Sequence, residues 1–341
     1  NKELDEDSLF LINSLNNLNS FKIACDIPSG LNSLGQVVQT AFKADITITM
    51  GALKTALLID IAKDFVGKIK VANLGLPEDI FQIETNKYLL QKSDLKLPLR
   101  DIKNSHKGTF GHVNIVSGEK IGASIIASKA AFSFGAGLVT IVSQNEKNIP
   151  CHIMQSKSVS DNCTAIALGM GLGEIESLKL EEILQLNIPK VLDADIFYNP
   201  LIVKYLDENV VLTPHPKEFI SLLRLTNIAD ISIEELQENR FLYVEKFCKI
   251  YPKLTLLLKG ANVIISKNDK IYVNIFGSSK LSKGGSGDVL SGLIVSLLAQ
   301  GYTSLEATIN ASLAHTIAAK KYKKNNYSMS PQDIIKGIKI L

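Results

Sequence analysis

The sequence lacks the cysteine patterns of zinc-binding and disulfide-stabilised proteins. It contains four cysteines among 341 residues, and no two of them form a C-x-x-C pair. Isolated thiols of this kind are typical of proteins that stay reduced in the cytoplasm. We therefore expect a cytoplasmic protein with neither a zinc site nor a disulfide scaffold at its cysteines, Cys25, Cys151, Cys163 and Cys248.

The sequence also lacks long apolar runs and large blocks of like charge. No apolar stretch is long enough to span a bilayer, and no signal peptide opens the chain. The net charge is only +3, and the one dense basic run, Lys320–Lys324, ends an apparent helix, where cations suit the helix dipole. We expect neither a membrane nor a nucleic acid as partner. Because the first residue is Asn1 rather than Met, we expect the natural product to extend upstream.

Short apolar runs alternate with helical periods along most of the chain. Continuous apolar strands separated by helices predict an α/β fold, with a mostly parallel sheet covered by helices on both faces. Ile264–Ile265 and Lys270–Ile275 predict a hairpin late in the sheet. The other predicted strands are Phe21–Cys25, Asp45–Thr49, Ile69–Val71, His112–Val116, Leu138–Val142, Thr164–Leu168, Lys190–Leu192, Val210–Leu212 and Thr255–Leu258, and the predicted helices include Ala123–Phe134, Leu178–Leu186 and Ile233–Cys248.

A polar stretch without a sustained period divides the chain into two domains. It covers residues 86–105, contains Pro98, and is predicted to be a linker. Residues 1–85 before it look incomplete for an α/β unit. Residues 106–341 after it have the size of one large α/β domain.

A glycine-rich loop, Gly284–Asp288, precedes the apolar helix predicted over Val289–Gly301. Free N–H groups at a helix start bind anions, and glycines let a phosphate approach closely. Asp288 falls in the first turn, where it either stabilises the helix dipole or acts as a general base for an alcohol that attacks a phosphate. The loop is not a Walker A motif, and Gly169–Gly173 has the wrong spacing for a Rossmann fingerprint.

Further ordered motifs accompany this loop in the second part. They include a Thr-Pro-His-Pro-x-Glu element at Thr213–Glu218. The motifs are Lys107–Val113, Gly122–Ser124, Gly135–Val139, Gly169–Gly173, Leu192–Asp195, Leu212–Glu218, Lys259–Val263 and Gly285–Asp288. Together they resemble the carboxy-terminal domain of NAD(P)H-hydrate repair enzymes, a ribokinase-like branch. The resemblance implies a dehydratase that removes water from the inactive 6-hydroxy form of NADH and NADPH, using ADP in many bacterial members and ATP in eukaryotic ones.

The resemblance also implies roles for individual residues. The hydroxyl is phosphorylated and then eliminated as phosphate, so Asp288 would deprotonate it. Glu218 would hold Mg²⁺, directly or through water. The N–H groups that would stabilise the phosphoryl group belong to Gly285, Ser286 and Gly287. The residues that would border the nucleotide are Lys259, Gly260, Ala261, Asn262, Val263 and Gly287. Those that would contact the hydrated dinucleotide are Ala123, Gly171, Gly173, His215 and Asp288.

Several of these residues also have plain structural interpretations. Gly171 and Gly173 are consistent with the end of a strand as well as with a ligand contact. His215 lies between two prolines and, taken alone, fits a structural histidine. Asp193 and Asp195 follow a predicted strand, where they either contact a ligand or cap the next helix.

The first part resembles the end of the companion epimerase domain, a Rossmann-like α/β domain that interconverts the R and S hydrates with K⁺. The matching segments are Ala24–Leu31, Asp45–Lys54 and Gly67–Pro77. Asp26 takes the place of the family's catalytic acid, although a turn residue before Pro28 is the alternative. The family's Asn-Gly-Gly-Asp-Gly phosphate loop is absent from this sequence and would lie upstream.

Two other functions compete with the dehydratase. A ribokinase-like kinase of a small alcohol, such as a vitamin precursor, would use the same loop chemistry with a different acceptor pocket. A binding protein on a decayed enzyme fold is the second, but the retained Asp288 and Gly285–Gly287 argue against decay. Lys283 departs from the small hydroxyl residue expected before the glycines, which leaves the details of phosphate binding open. Homologues of this kind are often oligomeric, so we expect a homo-oligomer.

Overall fold

The computed structural model describes residues 3–77, 80–81, 84–144 and 148–341. The chain divides into two compact units. The first comprises residues 1–87 together with 233–240, and the second comprises residues 88–232 together with 241–341. Among the helices formed by the described residues, none combines the length and the apolar composition needed to cross a membrane.

The first unit contains a three-stranded parallel sheet with β2 (Ile46–Met50) in its centre. Helix α1 (Glu6–Asn17) precedes the sheet and begins where the Asp5 carboxylate accepts a hydrogen bond from the Ser8 N–H at 2.8 Å. Because the strands are parallel, their carboxyl ends share one edge, which places Asp26, Gly51 and Asn73 at that edge. The strands are β1 (Ile23–Cys25), β2 (Ile46–Met50) and β3 (Lys68–Ala72), and α2 (Lys63–Val66) lies between the last two in sequence.

A short segment from much later in the chain belongs to the first unit. It consists of α6 (Ile233–Glu238), Asn239 and Arg240. The Arg240 side chain is 1% exposed, and its guanidinium forms an ion pair with the carboxylate of Asp60. A buried charge is tolerated only with such a partner, so this pair secures the segment within the unit.

The helix predicted over Ile233–Cys248 is interrupted in the structure. Helix α6 ends at Glu238, and α7 (Arg240–Ile250) begins two residues later. The Asn239 side-chain amide donates a hydrogen bond to the Glu235 carbonyl at 3.1 Å. Asparagine side chains compete with the helical backbone for hydrogen bonds in this way, and a hydrophobic period does not reveal the interruption.

The second unit is built on a ten-stranded sheet with the order β4-β13-β12-β11-β10-β9-β8-β5-β6-β7. Strands β5 to β11 run parallel, while β12 is antiparallel to β11 and β13 is antiparallel to β12. The carboxyl ends of the seven parallel strands therefore share one edge. The strands are β4 (Lys87–Leu89), β5 (His112–Val116), β6 (Leu138–Val142), β7 (Met154–Ser156), β8 (Ala165–Leu168), β9 (Lys190–Leu192), β10 (Val210–Leu212), β11 (Thr255–Leu258), β12 (Val263–Lys267) and β13 (Lys270–Asn274).

Helices pack against this sheet and against one another. Helix α8 (Ser286–Ala299) is buried along most of its length. It contacts strands β5, β8 and β9 and the helices α3 (Ile121–Ser133) and α9 (Ser304–Lys321). The approach to α3 is close, because a Cβ added at Gly292 would lie 2.3 Å from the Ala127 carbonyl oxygen. This packing fixes the position of the glycine loop that begins α8. The helices are α3 (Ile121–Ser133), α4 (Ser177–Gln185), α5 (Pro216–Leu225), α7, α8 (Ser286–Ala299), α9 (Ser304–Lys321) and α10 (Pro331–Ile338).

The structure confirms the predicted α/β class and a mostly parallel sheet. Strands β5, β6, β9, β10 and β11 have the predicted bounds. The predicted linker differs from the structure at its start, because Lys87–Leu89 forms β4 at the edge of the large sheet. The Tyr88 ring stacks on Tyr272 with ring centroids 5.4 Å apart, and the Leu90 N–H donates to the Val273 carbonyl at 2.9 Å. This pairing with a distant strand overrides the polar composition of the segment.

Candidate active site

The glycine loop, Gly284–Asp288, begins helix α8 as the sequence predicts. Gly285 has a φ of +87°, a left-handed conformation that favours glycine. A Cβ there would also lie 2.6 Å from Pro331 Cγ. The loop therefore requires glycine at this position for both backbone and space.

The backbone donors of the loop differ in availability. The Ser286 N–H already donates to the Lys283 carbonyl at 3.2 Å, so it is less suited to an anion than predicted. Within the part of the chain that the structure describes, no group accepts a hydrogen bond from the N–H of Gly287 or Asp288. Two adjacent donors at the positive end of a buried helix are suited to a phosphoryl oxygen.

The Asp288 carboxylate lies half-buried in the first turn of α8. Burial, the largest effect, and the negative charge of Asp193 together raise its pKa to about 6 against the opposing positive charge of Lys259. None of the described residues donates a hydrogen bond to this carboxylate. It is therefore mostly ionised at neutral pH and available to accept a proton from a ligand.

Asp193 and Lys259 form an ion pair beside the glycine loop. Asp193 follows β9 and Lys259 follows β11, and the distance from Asp193 Oδ1 to Lys259 Nζ is 2.6 Å. Asp193 Oδ2 accepts a hydrogen bond from the Ser291 hydroxyl on α8, also at 2.6 Å. A Cβ added at Gly287 would lie 3.4 Å from Lys259 Nζ, so the ammonium group lies close to the loop.

Asp193 forms three contacts in the structure, one of which is the cap that the sequence offered, while contact with a ligand stays a prediction. Its Oδ1 also accepts a hydrogen bond from the Ala194 N–H at 2.9 Å, at the start of a short 3₁₀-helix. Asp195 instead accepts a hydrogen bond from the Gly173 N–H at 3.0 Å. Sequence reasoning did not predict the bond to Lys259, because the two residues lie 66 positions apart.

The Lys259–Val263 segment joins β11 to β12 next to this pair. Its backbone is held in place by a hydrogen bond from the Lys259 N–H to the Pro214 carbonyl at 2.9 Å. Gly260 and Ala261 are exposed, whereas Asn262 is buried. The structure thus presents two small residues to an approaching ligand beside the charged Lys259.

The Thr-Pro-His-Pro-x-Glu element forms the start of α5. Glu218 Oε2 accepts a hydrogen bond from the His215 N–H at 2.7 Å, and His215 Nδ1 accepts from the N–H groups of Lys217 and Glu218 at 3.1 and 3.2 Å. The ring proton is therefore on Nε2, which lies 3.1 Å from Glu218 Oε1. Burial lowers the pKa of His215 and raises that of Glu218 to about 7, so the histidine is neutral at neutral pH.

The donors present do not form a preassembled metal site. Among the described residues, no group of three His, Cys, Asp or Glu side chains is arranged to hold a metal ion. Both Glu218 oxygens are engaged by His215. The arrangement suits a Mg²⁺ that arrives with phosphates, keeps its waters and is held by Glu218 through one of them.

The residues predicted to contact the dinucleotide on the β8 side lie together. A Cβ added at Gly171, whose φ is +59°, would lie 3.2 Å from Ala123 Cβ and 2.7 Å from Lys120 Cβ. Gly173 continues the same turn, with a φ of +64°, and a side chain there would meet Glu119. The turn therefore packs tightly against the start of α3, which explains the glycines structurally, while their contact with a ligand stays a prediction.

Two contacts of the loop with distant residues were not predicted. His315 on α9 is buried, and its Nε2 lies 3.2 Å from the Ser286 hydroxyl. Burial lowers the pKa of His315 to about 4, so the ring is neutral and supports the loop by hydrogen bonding rather than by charge. The Lys283 ammonium, which departs from the family pattern, donates to the Tyr327 carbonyl at 2.6 Å.

In the first unit, Asp26 follows β1 with a φ of +69°, which is uncommon for a residue other than glycine. Its Oδ1 accepts a hydrogen bond from the Met50 N–H at 3.0 Å and from the Thr49 hydroxyl at 3.3 Å, and it pairs with the Lys54 ammonium. The hydrogen bond from Lys54 lowers the Asp26 pKa, so the carboxylate is ionised. A cavity of about 360 Å³ lies at this edge of the sheet and is lined in part by Gly51.

Two family descriptions match the chain. Residues 113–339 match the NAD(P)H-hydrate dehydratase family, and residues 1–56 match the family described as YjeF-related protein N-terminus. A bifunctional NAD(P)H-hydrate repair enzyme of Helicobacter pylori is 48% identical over 334 residues, covering 96% of this chain and 70% of the relative. The chain belongs to the bifunctional NAD(P)H-hydrate repair enzyme family. The member from Coxiella burnetii is 33% identical over 332 residues, covering 91% of this chain and 67% of the relative.

Solved structures agree with a ribokinase-like fold in this member of the repair-enzyme family. The ADP/ATP-dependent NAD(P)H-hydrate dehydratase of Bacillus subtilis, co-crystallised with ATP and Mg²⁺, is 25% identical with a TM-score of 0.62. The match covers 74% of this chain and 96% of that structure. A ribokinase-like superfamily protein of Enterococcus faecalis, 22% identical, has a TM-score of 0.64 over 76% of this chain and 96% of its own, and supports the fold alone. The predicted family and fold are confirmed, while the roles of individual residues stay predictions.

Proposed function

We propose that the second unit removes water from the S form of hydrated NADH and NADPH, using ADP or ATP as phosphoryl donor. The observation that carries this proposal is the position of Asp288. Its carboxylate lies in the first turn of α8, beside the Asp193–Lys259 pair, and accepts no hydrogen bond from any described residue. A free base next to an anion site is what phosphorylation of a hydroxyl requires.

The reaction divides into phosphorylation and elimination. Asp288 takes the proton of the ring hydroxyl as that oxygen attacks the terminal phosphoryl group, and the nucleotide leaves as AMP from ADP or as ADP from ATP. The carbon–oxygen bond then breaks with its electrons going to the departing phosphate. The adjacent ring carbon loses a proton, and the carbon–carbon double bond of the dihydronicotinamide is restored.

The glycine loop and Lys259 would stabilise the charge of the transferring phosphoryl group. The N–H groups of Gly287 and Asp288 point from the helix start, and the Lys259 ammonium lies nearby. Gly260 and Ala261 would border the nucleotide. Mg²⁺ supplies charge neutralisation when bound, with Glu218 holding it through water.

The hydrated ring would lie between Ala123, Gly171 and His215. His215 presents a neutral imidazole, with Nε2–H directed to Glu218 and the ring fixed by two prolines. The neutral imidazole of His215 would position the hydrated nicotinamide ring by packing and hydrogen bonding. Because it carries no charge, it would not compete with Lys259 for phosphate.

For the first unit we propose that Asp26 serves the epimerisation of the R and S hydrates. It is ionised, so it would act first by accepting a proton. The oxygens of Asp26, Thr49 and Met50 are already bound by the Lys54 ammonium, and they therefore do not fit K⁺ as a further cation.

A coupled assay tests the dehydratase and separates it from a kinase. The full chain is incubated with hydrated NADH, Mg²⁺ and either ADP or ATP, and the near-ultraviolet absorbance of NADH is followed together with phosphate release. We expect recovery of NADH that is stoichiometric with phosphate. A stable phosphorylated alcohol without NADH recovery would instead establish a small-alcohol kinase.

The remaining expectations concern assembly and location. We propose that the protein is a cytoplasmic homo-oligomer, as its pattern of isolated cysteines and its resemblance suggest. Light scattering of the purified chain measures the assembly, and fractionation of cells that express the natural product measures the location. A monomer, or a membrane-bound product, would contradict this.

A further inference from the structure

A large cleft lies in the second unit beside the site described above. Its volume is about 1080 Å³, and it is lined by residues that follow β5, β6, β7 and β8 and by helix α4. Ligand sites of open α/β sheets form at the carboxyl ends of their strands, and this volume is at the upper end of those that enclose small molecules. Asp288, Lys259 and His215 do not line it.

The cleft adjoins the turn that is predicted to contact the hydrated dinucleotide. Leu172 lines the cleft and lies between Gly171 and Gly173 in that turn. Glu119 lines the cleft as well, and its carboxylate would meet a side chain at Gly173. A ligand that crosses this turn therefore enters the cleft.

The order of strands fixes the direction in which the dinucleotide extends. The nucleotide is proposed to lie near Lys259–Val263, between β11 and β12, and the reacting ring near β8 and β10. Because the sheet continues from β8 to β5, β6 and β7, the open side for the rest of the substrate is the side away from the nucleotide. The cleft lies on that side.

The charge of the cleft indicates which end of the hydrated dinucleotide it binds. Its lining carries four glutamates, Glu119, Glu174, Glu176 and Glu182, against two lysines, Lys157 and Lys179. Carboxylates bind the hydroxyl groups of an adenosine ribose and repel a phosphate on the same ring. We infer that this acidic cleft binds the adenosine end of the hydrated dinucleotide and favours hydrated NADH over hydrated NADPH. The inference rests on the proposed dehydratase function.

The test compares three substrates in three charge variants of the full chain. The substrates are hydrated NADH, hydrated NADPH and hydrated reduced nicotinamide mononucleotide, which lacks the adenosine end. Glu176→Lys and Glu182→Lys reverse a charge in the cleft. Glu208→Lys is the control, because Glu208 precedes β10 and therefore lies at the amino ends of the parallel strands, away from the carboxyl ends that form the cleft.

We expect the wild type to have a lower KM for hydrated NADH than for hydrated NADPH. Each cleft variant should lower the KM for hydrated NADPH, relative to the KM for hydrated NADH, by about fivefold. This is the effect of roughly 1 kcal/mol between partly solvated charges. The KM for the mononucleotide should not change, and Glu208→Lys should behave as the wild type.

Two outcomes would overturn the inference, and they differ from failure of the proposed function. The adenosine end would lie elsewhere if both cleft variants kept the wild-type ratio of the two KM values, or if they changed the KM for the mononucleotide by the same factor. The proposed dehydratase function would be unaffected by either result. If no hydrate were converted by the wild type, the proposed function would fail, and the inference with it.

Discussion

Replacing Asp193 with asparagine tests whether the buried ion pair organises the active site. Asparagine keeps an acceptor for Ser291 but removes the charge that pairs with Lys259. Breaking a buried pair costs about 3–5 kcal/mol when a charge is left without a partner. The Asp193 side chain is 2% exposed and that of Lys259 is 22% exposed, so water can reach the freed ammonium. We therefore expect the free energy of unfolding to fall by about 3 kcal/mol, the lower end of that range.

The same change should move the pH profile in a defined direction. The Asp193 charge raises the pKa of Asp288, and Lys259 lowers it. Removing the Asp193 charge eliminates the effect that raises the pKa, so the Asp288 pKa should fall. Since a general base works when deprotonated, the acidic limb of kcat/KM should shift to lower pH. The value of kcat should fall as well, because Lys259 is no longer fixed beside Gly287.

Urea unfolding and the pH dependence of hydrated-NADH turnover measure these two effects. Ser291→Ala is the control, because it removes one hydrogen bond to Asp193 but keeps the ion pair, at a cost of about 1 kcal/mol. Its acidic limb should stay in place. An acidic limb that stayed in place or moved to higher pH in Asp193→Asn would refute the assigned electrostatic role, whatever the loss of stability.

Three other perturbations give simple outcomes. In the wild type, kcat/KM should decrease about tenfold per pH unit below the base pKa of about 6, and a profile flat down to pH 5 would contradict the base. Gly285→Ala should destabilise the fold by about 1–2 kcal/mol and raise the nucleotide KM, whereas Gly284→Ala should change little because a Cβ there would lie in open space. Equal changes of the nucleotide KM in the two variants, measured by steady-state kinetics, would argue against a strained loop. Lys54→Met should raise the Asp26 pKa in an NMR titration, and an unchanged value would remove Lys54 as its main determinant.

The sheet could be predicted because its strands are continuous apolar runs between helical periods. Strands such as β5 and β6 are buried at nearly every position, so their pattern needs no partner to be recognised. Strand β4 could not be predicted, because its residues become a strand only by pairing with β13, far along the chain. Local composition indicated a linker there.

The parts of the site that are contiguous in sequence could be predicted, whereas the contacts that form only when distant residues come together on folding could not. The glycine loop and Asp288 are contiguous, so a helix start with a carboxylate follows from the sequence. The pair of Asp193 and Lys259 and the contact of Ser286 with His315 join residues on different elements. The inclusion of residues 233–240 in the first unit is a long-range effect of the same kind.

The most direct test of the central claim is turnover by Asp288→Asn. Asparagine keeps the size and the helix start but removes the base, so ADP or ATP binding, measured by calorimetry, should stay within a few-fold of wild type. Recovery of NADH from its hydrate should fall by about 10²–10⁴-fold, the usual contribution of a positioned general base. Turnover at the wild-type rate in a variant that binds nucleotide normally would contradict the account.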